Sequence, residues 1–446
     1  MPRHASEHVG GMVIASEPLI DCVPCQPAAW EGRYVCQWDK GSIDDARMVK
    51  IDFLALGMLS AVEESIELIA EEQGRTLDLS RIDFADADVY DDICNGDTVG
   101  IFQIESRAQI AMLPRSQPRN IDDLAVQVAI VRPGPIVGGA VNPYVKRRVK
   151  LRENPSYVVE MPHPDLRDVL GETLGVVIFQ EQVLQVAEIM GNFGAGEAEA
   201  FRRAMSRKRS TEIMESYRMK FLAGSRANGV SEAVATRVFE NLKGFAEFGF
   251  PKSHSVSFAL LAYQTAWMKR YYPVEFFCGL FNNQPMGFYP PHVLTNDAKR
   301  HGISVVRPDI NISRVACSVE QDAHEQLERG GVRVGLGYVR HVGEAGAAVI
   351  ESERERGGEY QSLFDFVQRT GLARRATESL IRIGAFDTFG MNRRELIWQL
   401  GLFGDGLVRS NLRIPKQRQL QLALSTQQDA VPLANFTAYQ RMAADY

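Results

Sequence analysis

Several things are scarce in these 446 residues. No apolar run approaches the ~18 residues that a membrane-crossing helix needs. The start, Met1-Pro2-Arg3-His4, has no apolar core of the kind a secretory leader carries. Six cysteines, Cys22, Cys25, Cys36, Cys94, Cys278 and Cys317, are too sparse for a disulfide framework and fit a reducing cytoplasm. Charge is not in large excess either: the net value of −6 gives by itself no sign of a nucleic acid partner.

What is present is ordinary globular material, unevenly arranged. With 45% hydrophobic and 24% charged residues the chain can bury real cores, and at ~150 residues per domain it has room for about three. Its cations are clustered, and distribution says more than the total. Lys146, Arg147, Arg148, Lys150 and Arg152 crowd one stretch; Arg202, Arg203, Arg207, Lys208 and Arg209 crowd another.

Residues 1–56 read as strands, with an apolar run from Val9 to Ala15 and another from Arg47 to Leu56 around a lone Asp52. From about Met58 the period becomes helical: Leu59, Val62, Ile66 and Ile69 share a face and Gly74 ends it. Residues 80–315 carry mostly helical signals punctuated by proline and glycine, including the rigid turn Arg132-Pro-Gly-Pro135. Residues 331–400 repeat a short helix, a glycine turn and another short helix. One copy is centred on Val339-Arg-His-Val-Gly343 and one on Leu380-Ile-Arg-Ile-Gly384. The last forty residues are glutamine-rich and weakly patterned, as in a linker.

Six features could carry chemistry. His4-Ala-Ser-Glu-His8 matches an inverted zinc-protease string, but Val9-Gly10-Gly11 follows at once and makes a helix there a poor expectation. Cys22-x-x-Cys25 could join those histidines, though one such pair usually means two ordinary cysteines. Asp52, between Ile51 and Phe53, points to the opposite strand face from them, as does Lys50; the plain reading is a surface ion pair, the sharper one a metal ligand. Arg202 to Arg209 packs five cations into eight residues, which suits a polyanion better than bare solvent. Lys252-Ser-His254 precedes an apolar helix, with Ser253 or Ser255 as the expected N-cap and an anion site compatible with either. The repeated turns resemble helix-hairpin-helix elements, whose backbone amides approach a DNA phosphate without reading bases.

Together and in order, these pieces resemble the bacterial C-family DNA polymerases (the alpha subunit of polymerase III). The resemblance runs from about Pro2 to Trp398. It rests on Pro2-Arg-His4, His8-Val-Gly-Gly11, Gln37-Trp-Asp-Lys40, Val49-Lys-Ile-Asp-Phe-Leu54, the string from Val99 to Arg107, Val131-Arg-Pro-Gly-Pro135, Phe179-Gln-Glu-Gln182, Phe201-Arg-Arg-Ala-Met205 and Gly249-Phe-Pro-Lys-Ser-His-Ser255. Leu54-Ala-Leu-Gly-Met-Leu59, Ser106-Arg-Ala-Gln109 and Gln284-Pro-Met-Gly-Phe-Tyr289 resemble its error-prone, damage-tolerant branch more than the main replicase.

The resemblance implies an α+β fold, mostly helical. Residues 1–56 would be the C-terminal part of a nucleotidyltransferase-type palm sheet, 57–315 helical fingers, 316–405 a tandem helix-hairpin-helix region, and 406–446 a tail before an oligonucleotide-binding barrel. It implies Asp52 as a ligand of catalytic Mg2+ and Lys50 as its active-site neighbour. Arg202, Arg203, Arg207, Lys208, Lys252, Ser253 and His254 would meet the triphosphate, and Arg340, Val342, Gly343, Arg382 and Gly384 would meet DNA. Primer-template DNA and deoxynucleoside triphosphates are the implied partners. Gln399-Leu-Gly-Leu-Phe403 and Gln419-Leu-Gln-Leu422 resemble the peptide that docks on a sliding clamp, although a helix end explains the first equally well. The chain departs from the family in two ways. No Asp-x-Asp lies within an apolar strand, Asp86-x-Asp88 being in a polar loop, and His341 stands where a glycine is usual. One carboxylate cannot hold two divalent ions, so the chain alone is expected to be inactive. The alternatives are a non-catalytic DNA-binding or assembly module and, remotely, a zinc hydrolase.

Overall fold

The strand character of the first fifty residues is realised in short pieces. In this computed structural model, which describes residues 10–28, 31–131, 141–206, 211–246, 250–286, 289–320, 330–403 and 433–445, β1 (Gly11–Ile14), β2 (Cys25–Pro27), β3 (Tyr34–Cys36) and β4 (Val49–Asp52) form two antiparallel pairs, β1 with β4 and β2 with β3. In the first pair Gly11 sits opposite Asp52 and Val13 opposite Lys50, so the two charged residues share one face. Met12 opposite Ile51 and Ile14 opposite Val49 occupy the other. That second face is open to solvent.

Helices follow. α1 (Leu56–Gln73) ends at Gly74, whose φ of 62° fits the left-handed turn that closes helices. α2 (Ala87–Cys94), α3 (Arg107–Ser116) and α4 (Ile121–Ile130) are started by the side chains of Asp86, Ser106 and Asn120, which accept from backbone N–H groups of their first turns. α5 is Val141–Glu153, α6 Gln180–Gly191, α7 Ala195–Ser206, α8 Thr211–Ala227, α9 Glu232–Ala246, α10 Lys252–Tyr271, α11 Pro273–Asn282 and α12 Pro291–Arg300. Pro273 sits at the start of α11, where its missing N–H has no intrahelical partner to lose.

These elements share three cores. α2, α3 and α4 pack with α10 around Tyr90, Leu124 and Tyr263. Helices α6 to α9 enclose Phe193, Phe201, Phe221 and Phe239, with ring centroids 5.3–6.3 Å apart once Tyr217 is included. α1 and α11 pack on a three-stranded sheet of β5 (Ser304–Val306), β6 (Ser318–Glu320) and β7 (Gly331–Arg333), β7 lying between a parallel β5 and an antiparallel β6. Only β5 lies in the stretch that sequence patterning reads as helical, up to residue 315; β6 and β7 follow it. The sheet's strands are three residues each, too short for an alternating pattern to register.

A fourth core holds α13 (Gly343–Gly357), α14 (Leu363–Thr370), α15 (Arg374–Ile383) and α16 (Arg393–Leu402) around Phe366, Leu380 and Phe386. The repeated theme is less symmetric than the sequence suggests. The first turn is entered from a single 3-10 turn, Leu336–Tyr338, and the second leaves through another, Asp387–Phe389. Within the weakly patterned tail, α17 (Ala438–Asp445) is helical and lies against α15. The Asn392 amide donates to the Leu433 carbonyl, and the Arg394 guanidinium lies 5.3 Å from the Phe436 ring. No described helix is long and apolar enough to cross a membrane.

Candidate nucleotide and DNA contacts

Strand alternation puts Lys50 and Asp52 on one face of β4, and their side chains are bonded to each other. Asp52 keeps 42% of its side-chain surface exposed, so this pair is not a sealed interior one. Its carboxylate could serve as one oxygen ligand for a divalent cation. A pair of such ions needs several oxygens, and β4 offers this one carboxylate.

The cationic candidates collect elsewhere. Arg202 and Arg203 lie on α7, and the Glu199 carboxylate one turn earlier accepts from both, at 2.8–2.9 Å from Arg202 and 2.7 Å from Arg203. These bonds hold the Glu199 carboxyl down to about 2. Lys252 opens α10, and here the expected serine cap gives way to a tertiary one. Ser255 is fully buried and donates 2.5 Å to the Ala125 carbonyl of α4, so it cannot face the helix end. The N–H of Lys252 is instead taken by Glu181 of α6, whose two oxygens stand at 3.1 and 3.0 Å. A bridge between Phe179 and Phe250, and the Gln180 N–H donating to the Phe250 carbonyl at 3.1 Å, lay the start of α6 beside the start of α10. Glu181 also acts on Arg202, whose proton is held more firmly by Glu199 first and by the charge of Glu181 in addition. So Glu181 grips the start of α10 at Lys252 and lies within electrostatic reach of Arg202, a link that composition and spacing did not single out. The Lys252 ammonium itself meets Glu172 at 2.6 Å. His254 packs its ring 4.2 Å from that of Phe258 and 5.0 Å from that of Phe250; Ser253 is exposed on the first turn of α10. Arg207 and Lys208 lie outside the described residues, as do His4 and His8 of the zinc-protease string.

A second charged group was invisible in the sequence. Lys269, 3% exposed, donates to Asp97 at 2.7 Å, to Asp297 at 2.8 Å and to the Val99 carbonyl at 3.1 Å. His301 completes it. Its Nε2 lies 2.6 Å from Asp97 and its Nδ1 2.9 Å from the Asp297 carbonyl. Both ring nitrogens therefore face acceptors, which suits the doubly protonated ring. The bond to Asp97 raises the His301 pKa first of all. Asp97 is lowered: burial opposes its charge, but His301 and Lys269 outweigh burial. Asp97, Asp297 and His301 are the one group among the described residues with metal-ligand spacing. The ammonium of Lys269 already lies against both carboxylates, so the group reads as an internal ion cluster. Cys22 and Cys25 join no such group. Glu105, within the string from Val99 to Arg107, is pushed up to about 7 by burial, against a smaller opposing pull from the Tyr289 hydroxyl.

The two hairpins differ at their turns. In the first, Arg340, His341 and Gly343 are exposed and Val342 is buried. His341 adopts φ 69° and Gly343 φ 60°, and nothing lies within 4 Å of where a Cβ on Gly343 would stand. The tight turn thus forms although its first left-handed position holds a histidine, at a cost of ~1 kcal/mol. In the second, Gly384 is buried with φ 85°, and the Arg393–Asp387 ion pair fills the space a Cβ would take. Arg382 is exposed and tied to Glu378 at 2.6 Å. The clamp-peptide reading of 399–403 needs correction: Leu400 is 1% and Phe403 7% exposed, both in the fourth core. A peptide whose anchors are core residues is not offered to a partner. Gln419 to Leu422 lies outside the described residues.

Comparison with known proteins gives three family matches in chain order. Residues 1–55 match the bacterial DNA polymerase III alpha NTPase domain. Residues 58–229 match the bacterial DNA polymerase III alpha subunit finger domain, and residues 302–396 a helix-hairpin-helix motif. Among curated proteins, the chain is 46% identical over 404 residues to an error-prone DNA polymerase of Mycolicibacterium paratuberculosis, covering 90% of this chain and 36% of that protein. It is 43% identical over 402 residues to one of Corynebacterium glutamicum (90% and 36%) and 45% identical over 406 residues to one of Burkholderia mallei (89% and 38%). The chain thus spans little more than a third of the length of these relatives. Aligned in this way along nine-tenths of its own length, it belongs to the bacterial DNA polymerase III alpha-subunit family, alongside relatives named error-prone DNA polymerase.

Proposed function

We propose that this chain supplies the rear of the palm (1–56), the helical fingers (57–315) and the helix-hairpin-helix region (316–405) of an error-prone, DNA-directed DNA polymerase acting in repair or lesion-bypass synthesis. Residues 406–446 are its tail. The reaction is template-directed nucleotidyl transfer, with primer-template DNA and deoxynucleoside triphosphates as substrates. It takes place in the cytoplasm, in keeping with the unpaired cysteines. The observation that carries the reading is an ammonium and a guanidinium candidate on helices linked through one carboxylate: Glu181 holds the backbone N–H of Lys252 at the start of α10, and its charge reaches Arg202. Guanidinium suits bidentate phosphate contact and ammonium a point charge, so the pair can hold a triphosphate in line. Arg203, Ser253 and His254 are further phosphate contacts in this reading, and Arg207 and Lys208 join them on the strength of the sequence alone. Asp52 contributes one oxygen to Mg2+ in the complete protein, with Lys50 beside it. A two-ion site needs more carboxylates than Asp52 gives, so no catalytic step is assigned to this chain alone. The first hairpin, through Arg340, Val342 and Gly343, and the second, through Arg382 and Gly384, grip duplex phosphates.

The test is direct. Purified chain is expected to bind duplex DNA with an affinity that falls steeply with salt and to leave a primer unextended with Mg2+ and all four deoxynucleoside triphosphates. Primer extension by this chain alone overturns the second half. Duplex binding that ignores salt overturns the first.

A further inference from the structure

The carboxylates around the cationic wall are not equivalent. Glu181 grips a backbone N–H with both oxygens, at 3.1 and 3.0 Å, and so fixes where α10 begins. Glu199 binds Arg202 and Arg203 from its own helix, three and four residues away. Glu172 differs from both. It comes from the turn after the short helix Arg167–Leu170, 80 residues before Lys252, and touches only the end of that side chain, at 2.6 Å. Both partners are partly open to water, with 42% and 35% of their side-chain surfaces exposed. An exposed single ion pair adds little to stability. A single carboxylate is also a weaker acceptor set than a polyphosphate with several charged oxygens.

We propose that Glu172 is a displaceable occupant of the phosphate position at Lys252: its carboxylate holds the ammonium while no nucleotide is bound and gives way to the triphosphate. The inference rests on the reading of Lys252 as a nucleotide contact. Glu172 then sets affinity by competition, and Glu181 preserves the geometry while the exchange takes place. Lys252 is parked and ready, in a conformation that one intramolecular anion has already selected.

Inorganic tripolyphosphate titrated calorimetrically into the full chain tests this, with Glu172→Gln, Glu172→Ala, Lys252→Ala and the double variant Glu172→Gln/Lys252→Ala. Thermal melting of each variant checks that the fold is kept. Removing the competitor is expected to tighten binding about two- to fivefold, with alanine at least as effective as glutamine. Lys252→Ala is expected to weaken binding and to abolish the gain from Glu172→Gln in the double variant. If Lys252→Ala weakens binding but neither Glu172 variant tightens it, the competition is wrong and the nucleotide contact stands. A gain from Glu172→Gln that survives in the Lys252→Ala background reflects general charge and also overturns the proposal. Binding unchanged by Lys252→Ala removes the contact itself, and the proposal with it.

Discussion

Lys252 and Lys269 lie at opposite ends of the same helix, and both are met by carboxylates, yet the surroundings make them different objects. At the C-terminal end Lys269 is buried between the half-buried Asp97, in the loop after α2, and the buried Asp297 of α12. At the N-terminal end Lys252 reaches Glu172 in partly open water. Burial decides the role. A charge taken out of water has to keep its partners, because losing one leaves an uncompensated ion in a poor dielectric. A charge left near water can trade partners at small cost. One helix thus carries a structural rivet at one end and an exchangeable contact at the other.

The contrast can be broken most severely at Lys269. Lys269→Ala is expected to cost ~3–5 kcal/mol in urea unfolding, since it takes the buried ammonium from between Asp97 and Asp297 and leaves Asp297 with Arg300 alone; a loss below ~1 kcal/mol would erase the distinction. The next effect is that of pH. The His301 pKa is raised above its ordinary 6.5, so its contribution is complete below that value and fades as pH rises through the folded value. That of Asp97 is lowered from 3.8, so its contribution is complete above that value and fades as pH falls. Thermal stability from this cluster should therefore be greatest between about pH 4 and 6.5, and His301→Gln should flatten the decline on the alkaline side. An unchanged alkaline limb in that variant would remove the cluster from the account. The smallest effect sharpens the other side. Glu199→Gln, which breaks the partly exposed pairs with Arg202 and Arg203, should change the unfolding free energy by less than ~1 kcal/mol, a value that a loss like that of Lys269→Ala would contradict.

The sequence spoke clearly where the signal was local. α1 follows from a 3.6-residue apolar period and a terminal glycine, β1 from the apolar run Val9–Ala15 and β4 from the run around Asp52. The pairing of Lys50 with Asp52 follows from alternation alone. It was silent where partners are distant. Lys269 and Asp97 stand 172 residues apart, and each looks like any surface charge in its own stretch. Ser255 reads as a cap because it precedes an apolar run. It is buried because Ala125, 130 residues earlier, presents a carbonyl to it. The start of α10 is therefore set by Glu181, a contact that no spacing rule within the helix can reveal. The turn at His341 was legible as a glycine position filled by another residue, and its φ of 69° bears out that geometry.

The β1–β4 ribbon has a consequence of its own. Met12, Ile14, Val49 and Ile51 form a greasy strip on a two-stranded element, 40–58% exposed. Two strands alone are barely stable in water, and a strip that no described residue covers is adhesive. At high concentration the purified chain should stick to itself through this strip before any other part of its surface, and a charged residue in place of Met12 or Ile51 should keep it dispersed.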